Sequence, residues 1–346
     1  MELALVNLYN EVNKVLGEYG KMTNREWFKQ AKFGMMVHFG LYSVLGGEWK
    51  GQRTDFHGEW IQTYFRIPCA EYDQIAKAFN PIYFNAEEWV DIARDAGMEY
   101  MVVTSKHHDG FALFDSEYDD FNCVKGSPFG RDIIAELAEA CYKKGMKLGL
   151  YYSQDMDWHE KDGGGYSLPW VPKRSWNNDW DWPNIEEKDF SRLFETKIKT
   201  QMKEILTKYG ELCVIWCDNP YTMTDAQSLE LYEMIRKYQP NALVNSRIGN
   251  GRCDYCSVPD NEVDFSTEEE AKKGMTLFEC PATLNDTWGY KAHDTNWKSA
   301  DRLFEIKESL NARGINYLLN VGPDHLGRIP APAVDILREL GKKIRG

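Results

Sequence analysis

An aspartate, Asp218, stands directly after the apolar run Leu212–Cys217, where a carboxylate is drawn out of water. A desolvated carboxylate needs a partner or a task. Capping the next turn is the structural task. Attack as a nucleophile is the chemical one, provided cationic or hydrogen-bonding neighbours keep the group ionised. The ends of other apolar runs offer such neighbours: His107 and His108, Tyr151, and Arg247. A second carboxyl with a raised pKa would protonate a leaving oxygen, and Glu269, inside the run Glu268–Glu270, is the candidate. Two carboxyls in these roles, about 5 Å apart, form the arrangement of a retaining glycosidase.

Each residue also has a plain structural reading. A lone His38 on an apolar run is by default a satisfied core histidine, Tyr151 a core residue, and Glu268–Glu270 a solvated acidic patch. The His107-His108 pair suggests a metal, but adjacent strand residues point to opposite faces, so both reach one ion only if the strand has already ended. There is no HExxH and no carboxylate at ligand spacing, and Cys253-Asp-Tyr-Cys256 is a CxxC without a second pair. The sequence therefore implies neither a metal nor a cofactor.

These residues have to be positioned by a scaffold. Short apolar runs at Phe33–Phe39, Tyr100–Ser105, Met146–Ser153, Leu212–Cys217, Ala242–Ser246, Val263–Phe265, Thr276–Cys280 and Tyr317–Val321 read as eight strands. Runs such as MKLGLYY and LCVIW are apolar throughout, as strands buried on both faces of a parallel sheet must be. Between them lie amphipathic segments with start and stop signals: Asn85 before Trp89 with Gly97 after it, Arg131–Lys144 ending at Gly145, and Thr224-Asp-Ala-Gln227 opening a helix that runs to Pro240. Eight strands with helical crossovers predict a closed (β/α)8 barrel rather than an open doubly wound sheet, irregular around strands five and six. His38, the segment from Lys106 to Asp109, Tyr151, Asp218, Arg247, Glu268–Glu270 and Glu279 would then share the rim at the strand C-termini, where barrel enzymes build their sites. Long insertions follow strand one (41–80) and strand three (154–183).

Composition narrows the partners. The chain has 346 residues, 43% hydrophobic and 27% charged, with a formal net charge of −13. That charge argues against nucleic acid and against an anionic membrane surface. No stretch approaches the roughly 20 apolar residues of a membrane span. Residues 1–24 read as an amphipathic helical extension without the basic and apolar regions of a signal peptide, and the eight cysteines form no compact disulfide framework, so the expected compartment is the cytoplasm. The 12 Trp and 19 Tyr are many for this length; core packing accounts for most, and aromatic faces also suit sugar rings.

At these same residues the chain resembles the α-L-fucosidases of glycoside hydrolase family 29, from about Trp27 to the C-terminus. WFKQAKFGMMVHFGLYSV resembles the family's opening strand, SKHHDGFALFDS its most specific block, GLYYS the next strand and VIWCDN the nucleophile strand. VNSRIG, DFSTEEE, FECPATLNDTWGY and NYLLNVGPDHLGRIP resemble later segments. The resemblance implies Asp218 as nucleophile and Glu269 as acid/base, with Glu268 and Glu270 close enough in sequence to be mistaken for it. It implies sugar contacts from His38, Glu59, Trp60, His107 and His108, Tyr151 beside the nucleophile, Arg247 near the acid/base, and Trp288 beside the fucose methyl group.

The implied reaction is hydrolysis of terminal α-L-fucosides on an oligosaccharide or glycoconjugate, through a covalent fucosyl-enzyme. Transfucosylation with the same residues, and a catalytically weak fucose-binding protein, are the alternatives. Two departures stand out. Asn219-Pro220 replaces the small or glycine-rich stretch that follows the nucleophile in most relatives, and the chain stops after the helix Ala333–Ile344, where many relatives continue into a β-sandwich. The expected organisation is one barrel from 25 to 346, with a homo-oligomer left open.

Overall fold

The computed structural model describes residues 23–166 and 176–346. Eight parallel strands make up its main sheet: β1 (Phe33–Val37), β2 (Tyr100–Lys106), β3 (Lys147–Tyr152), β4 (Val214–Cys217), β5 (Leu243–Val244), β6 (Cys256–Ser257), β7 (Phe278–Thr283) and β8 (Ile315–Val321). Their order is β5-β4-β3-β2-β1-β8-β7-β6. A parallel bridge between Asn245 and Tyr255 joins the two ends, so the sheet curls into a barrel.

Local sequence explains the helical crossovers. Asn85 accepts a hydrogen bond from the Glu88 amide and starts the helix Ala86–Asp95. Asp132 does the same for Ile133–Lys144, which ends where Gly145 turns left-handed at φ 67°. Thr224 and Gln227 form a reciprocal capping box at the start of Asp225–Tyr238. The crossover between β3 and β4 is the helix Lys199–Lys208, preceded by a π-helical turn at Phe194–Ile198. The irregularity expected at strands five and six is present. Only a 3₁₀ turn, Ser246–Ile248, stands between β5 and β6, and a five-residue helix, Glu268–Lys272, between β6 and β7.

The structure corrects two sequence expectations here. The sixth strand is Cys256–Ser257 and not Val263–Phe265. Val263 and Phe265 are half-buried against the outer core, and Arg313 holds their carbonyls in place of a strand ladder. The seventh strand begins at Phe278, so Glu279 is its second residue. It lies inside the barrel, not at the rim.

Aromatic side chains fill the barrel interior, and Gly34 makes room for one of them. A Cβ there would lie 2.4 Å from the Tyr100 ring. The helix Asn24–Ala31 covers the N-terminal mouth, with Phe28 packed 4.8 Å from Tyr255 and its carbonyl accepting from Asn316. The extension expected over 1–24 falls, except for its last two residues, outside the described residues.

Candidate active site

The floor of the site is built from Glu279 upward. Its fully buried carboxyl accepts hydrogen bonds from Tyr100 Oη at 2.7 Å, Trp216 Nε1 at 2.9 Å and Tyr255 Oη at 3.2 Å. Burial pushes its pKa up to about 7 in spite of those donors. Trp216, fixed by that bond, stacks on Tyr151 with ring centroids 5.5 Å apart, and the Arg247 guanidinium lies 4.8 Å from the Trp216 ring. Both neighbours of Trp216 then reach Asp218, two residues further along the chain.

Asp218 is 7% exposed. Its Oδ2 accepts from Tyr151 Oη at 2.9 Å and Asn219 Nδ2 at 3.2 Å, and its Oδ1 accepts from Arg247 Nη1 at 3.0 Å. Three donors hold the carboxylate in one orientation, as a nucleophile requires. Asn219 adopts φ 49°, a left-handed conformation that asparagine tolerates better than most residues. That turn lets its amide reach both Asp218 and His108 Nε2, the latter at 3.2 Å. The Asn219-Pro220 departure is thus a donor aimed at the carboxylate.

The histidines come from two strand ends. His38 follows β1, and its Nδ1 lies 2.7 Å from Asn320 Oδ1. The Asn320 amide nitrogen donates to the Trp288 carbonyl, so its oxygen must face His38, and His38 Nδ1 carries the proton. β2 ends at Lys106, after a register shift against β3. The chain then turns at Gly110, which leaves the His107 and His108 rings side by side at 4.1 Å. His108 Nδ1 donates to Ser153 Oγ at 2.6 Å, because that hydroxyl donates onward to the Met156 carbonyl. Burial lowers the pKa of all three imidazoles, well below the usual range for His107 and His108. Neutral rings are selective donors and acceptors for hydroxyl groups, and in His38 and His108 the neighbours also fix the tautomer.

A buried charge cluster supports the His turn from behind. Asp157 Oδ2 lies 2.9 Å from Lys106 Nζ and 3.0 Å from Lys197 Nζ, and all three side chains are almost wholly buried. Although burial opposes ionisation, the two ammonium groups hold the Asp157 pKa below the usual carboxylate range. The π-helical turn carries Lys197 into this cluster.

The remaining expected residues divide. Glu59 is buried in the turn Gly58–Trp60 and accepts from the Gly289 amide at 2.7 Å. Trp60 stands edge-on to His108 at 5.4 Å, and Trp288 lies 5.3 Å from the His38 ring. Arg247 is locked between carboxylates: burial opposes its charge, but Asp260 and Asp218 carry its pKa above the usual value. Glu269 stays apart. It is exposed on the short helix Glu268–Lys272 and, among the described residues, forms no hydrogen bond or ion pair with Asp218, Arg247 or the histidines.

Two residues not singled out from sequence belong to the site. Asp260, on the loop after β6, takes an ion pair from Arg247 Nη2, so one guanidinium bridges it to Asp218. Gln154, fully buried after β3, accepts from the Asp218 amide at 2.8 Å and donates to the Arg247 carbonyl at 2.9 Å. The Asp in SVPDNE was the only available signal for the first. Nothing marks Gln154, whose partners are backbone groups 64 and 93 residues away.

A (β/α)8 barrel whose C-terminal rim holds a buried, multiply donated carboxylate beside neutral histidines and aromatic rings is of the class of barrel glycosidases. The family follows from comparison: a profile of the alpha-L-fucosidase family matches residues 9–345, and the chain belongs to that family. It is 29% identical to a putative alpha-L-fucosidase of Caenorhabditis elegans, over 91% of this chain and 64% of that protein. It is 28% identical to the tissue alpha-L-fucosidase of Rattus norvegicus, over 91% and 67%. The chain thus spans about two thirds or less of the length of these curated relatives. Among solved structures, alpha-L-fucosidase AlfC from Lactobacillus casei, in complex with alpha-L-fucose product, superposes with a TM-score of 0.87 at 48% identity, covering 92% of this chain and 97% of that one.

Proposed function

We propose that the protein hydrolyses terminal α-L-fucosides with retention of configuration, Asp218 acting as the nucleophile and Asp260 as the acid/base. The observation that carries this reading is the Arg247 bridge, in which one guanidinium contacts both carboxyls and so brings them to the same side of the rim, as a retaining pair requires. Asp218 attacks the anomeric carbon as the glycosidic bond breaks, and Asp260 gives its proton to the departing oxygen. Water then loses a proton to Asp260 and its oxygen displaces Asp218, releasing fucose.

His38, His107, His108 and Glu59 would grip the sugar hydroxyls, with the Trp288 ring against the C6 methyl. A deoxy-sugar calls for this division into polar and apolar walls. AlfC has been crystallised with fucose and, as an aspartate-to-alanine variant, with Fuca(1,6)GlcNAc, which supports a fucosylated saccharide as the substrate class.

The test is hydrolysis of 4-nitrophenyl α-L-fucoside by wild type and Asp218→Ala, with added azide. We expect the variant to lose roughly 10⁴-fold in kcat and azide to rescue it as β-fucosyl azide. A fully active Asp218→Ala enzyme would refute the nucleophile assignment, and a wild type active only on another glycoside would refute the sugar.

A further inference from the structure

Beside the proposed fucose pocket, the rim carries aromatic surface that neither the core nor the sugar contacts above use. Tyr166 and Tyr221 are 44% and 46% exposed. The Tyr166 and Trp176 rings lie nearly parallel, 18° apart with centroids at 5.8 Å. Tyr221 stands at right angles to both, at 5.1 Å and 4.8 Å. Tyr166 thus stacks on Trp176 while Tyr221 stands edge-on to both, and the three rings make one partly exposed aromatic corner at the rim. Trp60 connects this corner to the pocket, its ring 4.9 Å from Trp176 and 5.4 Å from His108. Tyr221 is also the third residue after Asp218.

The corner is held in place before any ligand arrives. Asp155 Oδ2 accepts from the amides of Thr222 and Met223, and Thr222 Oγ1 accepts from the Gly165 amide at 2.7 Å, which staples the segment before Tyr166 to the nucleophile loop. The Trp176 amide donates to the Tyr166 carbonyl at 3.1 Å. A Cβ at Gly164 would lie 2.1 Å from Asp155 Oδ1, so this close packing requires glycine there. Fixed rings lose little freedom on binding, which favours recognition of a rigid partner.

We propose that Tyr166, Trp176 and Tyr221 form a subsite for the pyranose ring to which fucose is attached. A pyranose has an apolar face of C–H bonds that packs on an aromatic floor, while its hydroxyls stay at the wet edge. An aliphatic or peptide aglycone would not need two parallel rings met by a third at right angles. The proposal rests on the fucosidase reading of the neighbouring pocket.

The test compares two substrates that share the fucose and differ in the leaving group: α-L-fucosyl fluoride, which has no second ring, and an α-L-fucosyl-N-acetylglucosamine disaccharide. We expect Tyr221→Ala and Trp176→Ala each to lower the ratio of kcat/KM for the disaccharide to that for the fluoride by about tenfold. Tyr221→Phe, which keeps the ring, should leave the ratio near the wild-type value. General damage to the fold would lower both rates together, so an unchanged ratio in both alanine variants overturns the subsite. A wild type inactive on both substrates overturns instead the fucosidase reading on which the subsite rests.

Discussion

The two sides of the barrel are built to different standards. From β2 to β4 the strands are seven, six and four residues long, and full helices cross between them. That side bears the histidine pair, the Asp157 cluster, Tyr151 and Asp218. Across β5 and β6 each strand has two residues, the bridge from Asn245 to Tyr255 closes the wall, and a 3₁₀ turn replaces a helix. This second side carries Arg247 and Asp260. The contrast is what the proposed two-carboxylate reaction would ask for, with Asp218 as nucleophile and Asp260 as proton donor. The nucleophile must hold one position to within a fraction of an ångström, whereas a proton donor must follow an oxygen that leaves and a water that arrives.

If the rigid side depends on its buried charges, Asp157→Asn should have the largest effect on stability. It leaves buried Lys106 facing Lys197 without its own carboxylate, while Lys197 keeps Glu160 and Asp119, and breaking a buried pair costs about 3–5 kcal/mol. Thermal unfolding at neutral pH would read this loss; an unchanged Tm would mean that the cluster is not what supports the histidine turn. The pH dependence follows from the depressed Asp157 pKa. Its contribution is present above the unfolded carboxylate value near 4 and is lost as pH falls below it, so the variant should lack that part of the wild-type acid destabilisation.

On the thinner side, Asp260→Asn should lower kcat/KM on a fucosyl disaccharide by roughly 10²- to 10⁴-fold, and by much less on 4-nitrophenyl fucoside, whose leaving group needs little protonation. Glu269→Gln should stay within about twofold on both substrates. The reverse pattern would return the acid/base to Glu269 and mean that the loop rearranges when substrate binds.

Glu279→Gln probes the floor that the two sides share. The folded carboxyl titrates near 7 and the unfolded one near 4.3, so between those values the folded state holds more protons and stability falls as pH rises. The decline is on the order of 3 kcal/mol across that interval. Urea unfolding of the variant should show it removed; an equal decline in both proteins would place the titrating group elsewhere.

Gln154→Ala tests the smallest link. We expect about a tenfold fall in kcat with KM little changed, because the Asp218 amide and the Arg247 carbonyl lose their common partner while the sugar contacts stay. A rise in KM alone would show that Gln154 shapes the pocket and does not align the nucleophile.

Legibility in the sequence followed the same division. β1 to β4 could be read because runs such as LCVIW are buried on both faces, and the polar residues that end them stand out against an apolar background. β5 was still legible inside Ala242–Ser246, but β6 is two residues long and carries no pattern of its own. The apolar Val263–Phe265 was mistaken for the sixth strand, although Arg313 and the outer core hold it. The sequence offers Glu269 as the acid, whereas the structure pairs Arg247 with the solitary Asp260, and the two variants above decide between them. That pairing depends on where a 3₁₀ turn aims a guanidinium, a property of tertiary structure. Glu279 was placed at the wrong height, since moving the strand start by two residues carries it from the rim to the floor.

The Asn245–Tyr255 bridge has a consequence for descent as well as for folding. A wall closed by so few backbone bonds sets few conditions on the chain beyond it, so insertions and deletions between β6 and β7 leave the rest of the barrel intact. The segment around Glu268–Lys272 can therefore lengthen, shorten or turn without unseating the wall. Asp218 has no such freedom: the strand before it is paired on both sides, to β3 and to β5.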